Sequence, residues 1–199
     1  MWGNPESFSG FGSTLAATAD ARRGLEELIG RYHVSSILDV PCGDFNWMQA
    51  LRYAGDYTGA DIVPDLVARN SARYGRADRR FLELDVCKDA LPPADLVLCR
   101  ECLNHLPVAA VDQALVRLEA AAKRLVVLTH YPEVVENVDQ PASFVYRSLN
   151  FSRPPFSLRP PDELIDEGTF EAGKHLGIWD LQRGPLNPRR PAPAMVSLD

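Results

Sequence analysis

Apolar positions along the chain follow two patterns that alternate. Over 19–32 they recur three or four residues apart, at Ala21, Leu25, Leu28 and Ile29, which predicts an amphipathic helix. Short apolar runs then appear at 36–40, 56–60, 80–84, 95–99 and 124–129. Runs of this length, bounded by polar and glycine-containing stretches, predict strands. Helical composition fills 45–52, 64–74 and 108–122, the last with Val111, Leu115 and Leu118 on one stripe. The connection over 85–93 is short for a helix. Strands alternating with helices predict right-handed crossovers and a mainly parallel sheet covered on both faces.

Beyond Thr129 the alternation fails. A Pro-rich stretch with scattered aromatics begins at Pro132 and runs to about residue 170. An irregular stretch of that length usually serves function, and it is expected on the acceptor side of a site. A late strand over 176–181 and a possible last one over 194–198 would complete the sheet, with a polar connection at 185–193 between them. Residues 1–18 are rich in Gly and Ser and read as a lid, so residues 1–199 form one domain with a lid and an insertion.

Composition narrows the function classes. A chain of 199 residues with 46% hydrophobic content can bury one good core. Its net charge is −6 and its 21 basic residues are scattered, which argues against a nucleic-acid partner. No apolar run is long enough to span a bilayer and no signal peptide opens the chain, so no membrane association is expected. Four cysteines without framework spacing point to a reducing, cytoplasmic compartment.

Three carboxylates end three successive predicted strands: Asp39, Asp61 and Asp85. In an open parallel sheet, ligands bind beyond the carboxyl ends of the strands where strand order reverses. Gly43 would let the backbone approach a ligand, and a helix after it would present free N–H groups. Asp61 lies 22 residues beyond Asp39, the distance at which an acidic side chain accepts hydrogen bonds from both hydroxyls of a ribose. Asp85 would reach an adenine amino group. A nicotinamide enzyme should carry Gly-x-Gly-x-x-Gly in this first turn, to hold a pyrophosphate. Here the turn is Pro-Cys-Gly-Asp-Phe over 41–45, with one glycine and a carboxylate that would repel phosphate. S-adenosylmethionine carries no phosphate but a sulfonium and an ammonium, which suit Asp39 and Asp44.

The run from Leu38 to Gly43 resembles the first motif of class I methyltransferases, Asp61 the acidic residue of the second and Asp85 that of the third. The resemblance covers about residues 20–130. The family's Gly-x-Gly is interrupted here by Pro41 and Phe45. Pro-Cys-Gly-Asp-Phe-Asn-Trp-Met over 41–48 is similar to a subgroup of bacterial small-molecule methyltransferases. So are Ser-Gly-Phe-Gly-Ser over 9–13, the run from Arg147 to Phe151, and Pro-Pro-Phe over 154–156. The resemblance implies a three-layer α/β sandwich whose seven-stranded, mostly parallel sheet carries an antiparallel terminal strand. It implies S-adenosylmethionine as cofactor, held by Asp39, Pro41, Gly43, Asp44 and Trp47 from the first turn. Asp61 and Ile62, Asp85 and Val86, and Arg100 would line the rest, and Ser9 and Ser13 would close over it.

Acceptor candidates lie after the fourth and fifth strands. The fourth ends in Cys99-Arg100-Glu101-Cys102-Leu103-Asn104-His105, where the family often has a His, and the fifth in Thr129-His130-Tyr131. His130, Tyr131 and His105 are therefore the candidate catalytic residues, as base or as positioning groups. If Arg100, His130, Tyr131, Arg147 and Asn150 converge, the acceptor would be a small metabolite, anionic (phosphonate, phosphate, carboxylate) or sugar-like. Surface ion pairing is the competing explanation for Arg147. Cys99, Cys102 and His105 fall short of a zinc site for want of a fourth ligand, so no metal is expected. Ser-Arg-Pro-Pro-Phe over 152–156 resembles the motif of amino-directed DNA methyltransferases, but lies past the fifth strand rather than just after the fourth. The reading is O-methylation of a small molecule by a monomer or homodimer, with N-methylation or non-catalytic cofactor binding as alternatives.

Overall fold

The computed structural model describes residues 4–140 and 145–189. Helix α1 spans Ala19–Tyr32, α2 Pro64–Tyr74 and α3 Val108–Ala121. Strands run over Ser36–Asp39 (β1), Asp56–Asp61 (β2), Arg79–Glu83 (β3), Ala94–Cys99 (β4) and Ala122–His130 (β5). Two more follow, Glu163–Asp166 (β6) and His175–Asp180 (β7). They form one seven-stranded sheet in the order β3-β2-β1-β4-β5-β7-β6. All run one way except β7, which is antiparallel to both its neighbours. This is the class I methyltransferase arrangement expected above.

Side chains of a strand alternate between its faces, so each central strand feeds two cores. Val126 and Leu128 of β5 join Leu38 and Val97 against Val111, Leu115 and Leu118 of α3. Leu125 and Val127 join Ile37 and Leu96 against Leu25 and Leu28 of α1. The near-continuous apolar runs of β4 and β5 are thus explained by burial on both faces. α1 stops where His33 turns left-handed and its N–H, with that of Val34, reaches back to the carbonyls of Gly30 and Ile29. Pro64 opens α2, where a missing N–H costs nothing.

Two expectations are corrected. The helix over 45–52 does not form; turns and a short 3-10 stretch, Met48–Ala50, take its place. Gly43 and Phe45 both sit at positive φ, 55° and 60°, which turns the chain away from a helix start. The apolar side chains there enter the core instead, Phe45 packing its ring on Tyr57, Tyr74 and Phe81. The stretch after Pro132 is also not wholly irregular, because β6 forms within it. β6 is an edge strand of four residues with alternate positions exposed, so no apolar run announces it. It is seated by a close approach: a Cβ on Gly24 of α1 would lie 2.4 Å from Ile165. The possible strand over 194–198 lies outside the described residues.

Candidate active site

β1 pairs with β2 on one side and β4 on the other, so strand order reverses between β1 and β4. The crevice at their carboxyl ends is flanked by Asp39 on β1 and by Arg100 and Glu101 just past β4. Asp39 is buried, accepts a hydrogen bond from Tyr57 Oη at 2.7 Å and makes no salt bridge among the described residues. Burial pushes its carboxyl up to about 7, the Tyr57 bond opposing. Asp61 ends β2; its oxygens accept from the N–H groups of Gly43 (3.1 Å) and Val63 (3.1 Å). Burial raises its carboxyl too, against the pull of those amides.

The next residue, Ile62, is a bulky apolar side chain left 59% exposed at the strand tip. Asp85 lies two residues past β3 and bonds Lys88 Nζ at 2.9 Å and the Cys87 N–H at 2.8 Å. Burial would raise its carboxyl, but those two contacts outweigh it and hold it low. Val86 beside it is buried.

The 41–45 turn meets the N-terminal segment. Asp44 accepts from Ser7 Oγ (2.9 Å), the Phe8 N–H (2.7 Å) and Ser9 Oγ (3.3 Å), while its own N–H donates to Ser9 Oγ at 2.9 Å. Asn46 Nδ2 donates to Glu6 (3.0 Å) and to the Ser13 carbonyl (3.0 Å). A Cβ on Gly43 would stand 2.4 Å from Ser9 Oγ, so the glycine makes room for this segment. Asp44 is thus a latch for residues 7–9, and no helix N-terminus follows Gly43. Pro41 is joined to Val40 by a cis peptide bond. Trp47 is buried with the Arg100 guanidinium 5.4 Å from its ring.

The residues expected to bind an acceptor are distributed differently. Arg100 is buried and bonded to Glu167 through Nε (2.9 Å) and Nη2 (2.7 Å), and it donates to the Gly12 carbonyl at 2.9 Å. Burial would lower its pKa, but the charges of Glu167 and Glu101 together with the Glu167 hydrogen bonds outweigh that and hold it protonated. Its charge is therefore neutralised, and it ties the lid to the insertion. His130 is buried between Phe151 and Trp179, and its Nδ1 accepts from the Phe151 N–H at 3.3 Å. Burial, with His175 nearby, lowers its pKa to about 4, so it is a neutral core histidine. The His105 ring lies edge-on to Tyr146.

Asn150 is spent on the loop itself: Nδ2 donates to the carbonyls of Pro132 (2.9 Å) and Val134 (2.8 Å), and Oδ1 accepts from Ser152. Arg147 donates from Nη2 to the Leu106 carbonyl at 2.6 Å, while its buried Nε and Nη1 meet no acceptor. Cys99 faces the core and Cys102 packs beside it.

Tyr131 is brought into a cluster that the sequence reading missed. Its hydroxyl bonds Tyr146 Oη and lies 2.5 Å from Glu171 Oε1. Burial, then the Glu171 bond, push the Tyr131 phenol far up. Buried Lys174 pairs with Glu101 and lies 3.6 Å from Glu171. Glu101, at φ 58°, points its carboxylate towards Gly12 of the lid. Glu101 stood in the strand-end run already singled out. Tyr146, Glu167, Glu171 and Lys174 sit in polar loops, where charge normally means solvation and nothing local marks burial.

Residues 37–124 match the family model of a methyltransferase domain. No curated protein sequence matches the chain. Among solved structures, the chain is 20% identical to Burkholderia thailandensis 1,6-didemethyltoxoflavin-N1-methyltransferase, solved with S-adenosylhomocysteine; 83% of this chain and 78% of that one align, with a TM-score of 0.61. Synechocystis magnesium protoporphyrin IX methyltransferase, solved with S-adenosylmethionine, aligns at 14% identity over 81% and 80% with a TM-score of 0.55. Human N-acetylserotonin methyltransferase, also solved with S-adenosylmethionine, aligns at 16% identity over 87% of this chain but only 58% of its own, with a TM-score of 0.55.

The chain spans less than two thirds of several such solved chains. At these identities the likeness is one of fold. The molecule bound in those chains is S-adenosylmethionine or S-adenosylhomocysteine. The donor set fits it: a buried carboxylate without a salt bridge for an ammonium, a second with lone pairs left for hydroxyls, and an exposed apolar side chain for a base. No helix among the described residues is long and apolar enough to cross a membrane.

Proposed function

We propose that this methyltransferase domain methylates an oxygen of a small, hydroxyl-bearing acceptor. The observation that carries the reading is the meeting of Asp39, Asp61 and the latched lid at the β1/β4 crevice. When bound, S-adenosylmethionine supplies an electrophilic methyl group on a sulfonium. Asp39 would face its ammonium, Asp61 its ribose hydroxyls and Ile62 its base, with the segment from Ser9 to Ser13 covering it. Asp85 would turn to the adenine amino group only by sharing its carboxylate with Lys88. The run over 41–48, which carries the likeness to bacterial small-molecule methyltransferases, holds the latch residues Asp44 and Asn46.

The acceptor would lie across the tips of β4 and β5. The polar groups there are Glu101, Tyr146 and the buried Tyr131 hydroxyl rather than a free guanidinium, which favours a hydroxyl over an anionic nucleophile. Arg147, with two donors left over, suits an anionic substituent elsewhere on the acceptor. The free thiols of all four cysteines agree with action in a reducing cytoplasm.

Calorimetry tests the donor side. S-adenosylhomocysteine should bind with a Kd on the order of micromolar, and Asp61→Ala should abolish the heat. A nicotinamide dinucleotide binding tightly in its place would overturn the reading. On the acceptor side, sulfate soaked into crystals should settle at Arg147; an empty Arg147 would remove the anionic substituent from the proposal.

A further inference from the structure

The cluster at the tips of β5 and the loop after it has a direction. Tyr131 Oη, Tyr146 Oη and Glu171 Oε1 form a line of three groups, and Glu171 is a carboxylate. A carboxylate only accepts, so it claims the single proton of the Tyr131 hydroxyl. Tyr131 then has nothing left to donate to Tyr146, and the contact between the two hydroxyls requires Tyr146 to be the donor. The Tyr146 proton is committed as well, and what Tyr146 offers outward is lone pairs. Such chains polarise in one sense, and each link strengthens the next.

The open end lies beside residues that flank the crevice. Tyr146 is partly exposed, its ring rests on His105, and Glu101 and Arg100 both lie close enough to act on its phenol. Those two residues flank the β1/β4 crevice, and Arg100 also grips the lid. The far end reaches water, because the Glu171 side chain is 38% exposed.

We propose that Tyr146, Tyr131 and Glu171 form a one-way proton outlet that selects acceptors able to donate a proton at the methylated atom. This rests on the methyl-transfer reading above. As the acceptor oxygen bonds the donor methyl carbon, the electron pair of the broken carbon–sulfur bond stays on sulfur. The acceptor's proton passes to Tyr146 Oη, the Tyr146 proton to Tyr131 Oη, and the Tyr131 proton to the Glu171 carboxylate, which returns it to water. Tyr146 touches the acceptor and is the catalytic residue; Tyr131 and Glu171 act through it and are positioning residues. A nucleophile that is already an anion has no proton to give, and it would meet the lone pairs of Tyr146 head-on.

Phenol and anisole form a pair of probes that differ by one methyl group on the oxygen, and only phenol can donate a proton. With tyrosines labelled with carbon-13 at Cζ and S-adenosylhomocysteine present, phenol should shift the Tyr146 and Tyr131 resonances, and anisole should not. Glu171→Gln lets the amide donate back towards Tyr131, so the preference for phenol should fall at least about five-fold, roughly 1 kcal/mol. Tyr146→Phe should abolish the preference and serves if the Gln variant does not fold. Equal responses to the two probes, no response to phenol, or a preference untouched by Glu171→Gln would overturn the proposal. The titration is repeated without S-adenosylhomocysteine, and its calorimetry is run separately. A protein that ignores that molecule yet still prefers phenol would refute the methyl-donor reading while leaving the polarised chain in place.

Discussion

Two buried titratable residues near the site pull the stability of the protein in opposite directions. Asp39 has its carboxyl raised from 3.8 to about 7, so its contribution is fully present below about pH 4 and is lost as pH rises through about 7. His130 is lowered from 6.5 to about 4, so its contribution is present above 6.5 and is lost as pH falls through about 4. Between about pH 4 and 6.5 the two slopes offset each other. Urea unfolding across that window should therefore give, relative to the parent, stability that climbs with pH in Asp39→Asn and drops with pH in His130→Phe. Parallel curves for all three proteins would show that neither residue titrates as its burial demands. Cofactor affinity carries the same signature: S-adenosylhomocysteine should bind more tightly as pH rises through about 7 and Asp39 ionises, and this dependence should vanish in Asp39→Asn.

At the scale of elements, the lid is held by side chains of the first turn more than by its own packing. Phe8 and Phe11 are largely exposed, while Asp44 alone accepts three hydrogen bonds from residues 7–9. Asp44→Ala should leave the sheet intact but free the segment. Hydrogen exchange at residues 7–15 should quicken, and affinity for S-adenosylhomocysteine should drop about tenfold, or ~1.4 kcal/mol. Unchanged exchange would mean that Asn46 and Arg100 suffice. The elements themselves differed in how far they could be read ahead. The bounds of α1 and α2 follow from apolar spacing, because each packs one stripe on the sheet. The stretch over 45–52 carried a similar pattern yet forms turns, since its apolar side chains are drawn into an aromatic cluster assembled from β2, α2 and β3.

For the molecule as a whole, stability rests on two cores and a few long-range polar joints. Phe156 is fully buried in the core under α3 although it comes from the Pro-rich stretch. Phe156→Ala should cost about 3–5 kcal/mol by urea unfolding, the range for removing a buried aromatic ring. Glu167 and Arg100 close a joint between residues 67 apart in the chain. Glu167→Gln strands a buried guanidinium and should cost about 3–5 kcal/mol as well. A loss below about 1 kcal/mol would mean that Arg100 can turn to solvent.

What the sequence determined by itself was local in origin: the alternation of short apolar runs with stretches of helical spacing, the helix ends, and the carboxylates that close β1 and β2. Apolar spacing and turn chemistry are decided within a few residues, so the parallel sheet, its reversal point and the position of Asp39 and Asp61 at its edge could be read from them. Tertiary structure decided the partners of each charge. Arg100 reads as a free anion-binding group until Glu167 is folded against it, and His130 reads as a base until Phe151 and Trp179 enclose it. The line from Tyr146 through Tyr131 to Glu171 joins β5 to two loops that carry no periodic signal. Whether a polar side chain is solvated or spent depends on distant segments arriving beside it, and that depends on the packing of the whole chain.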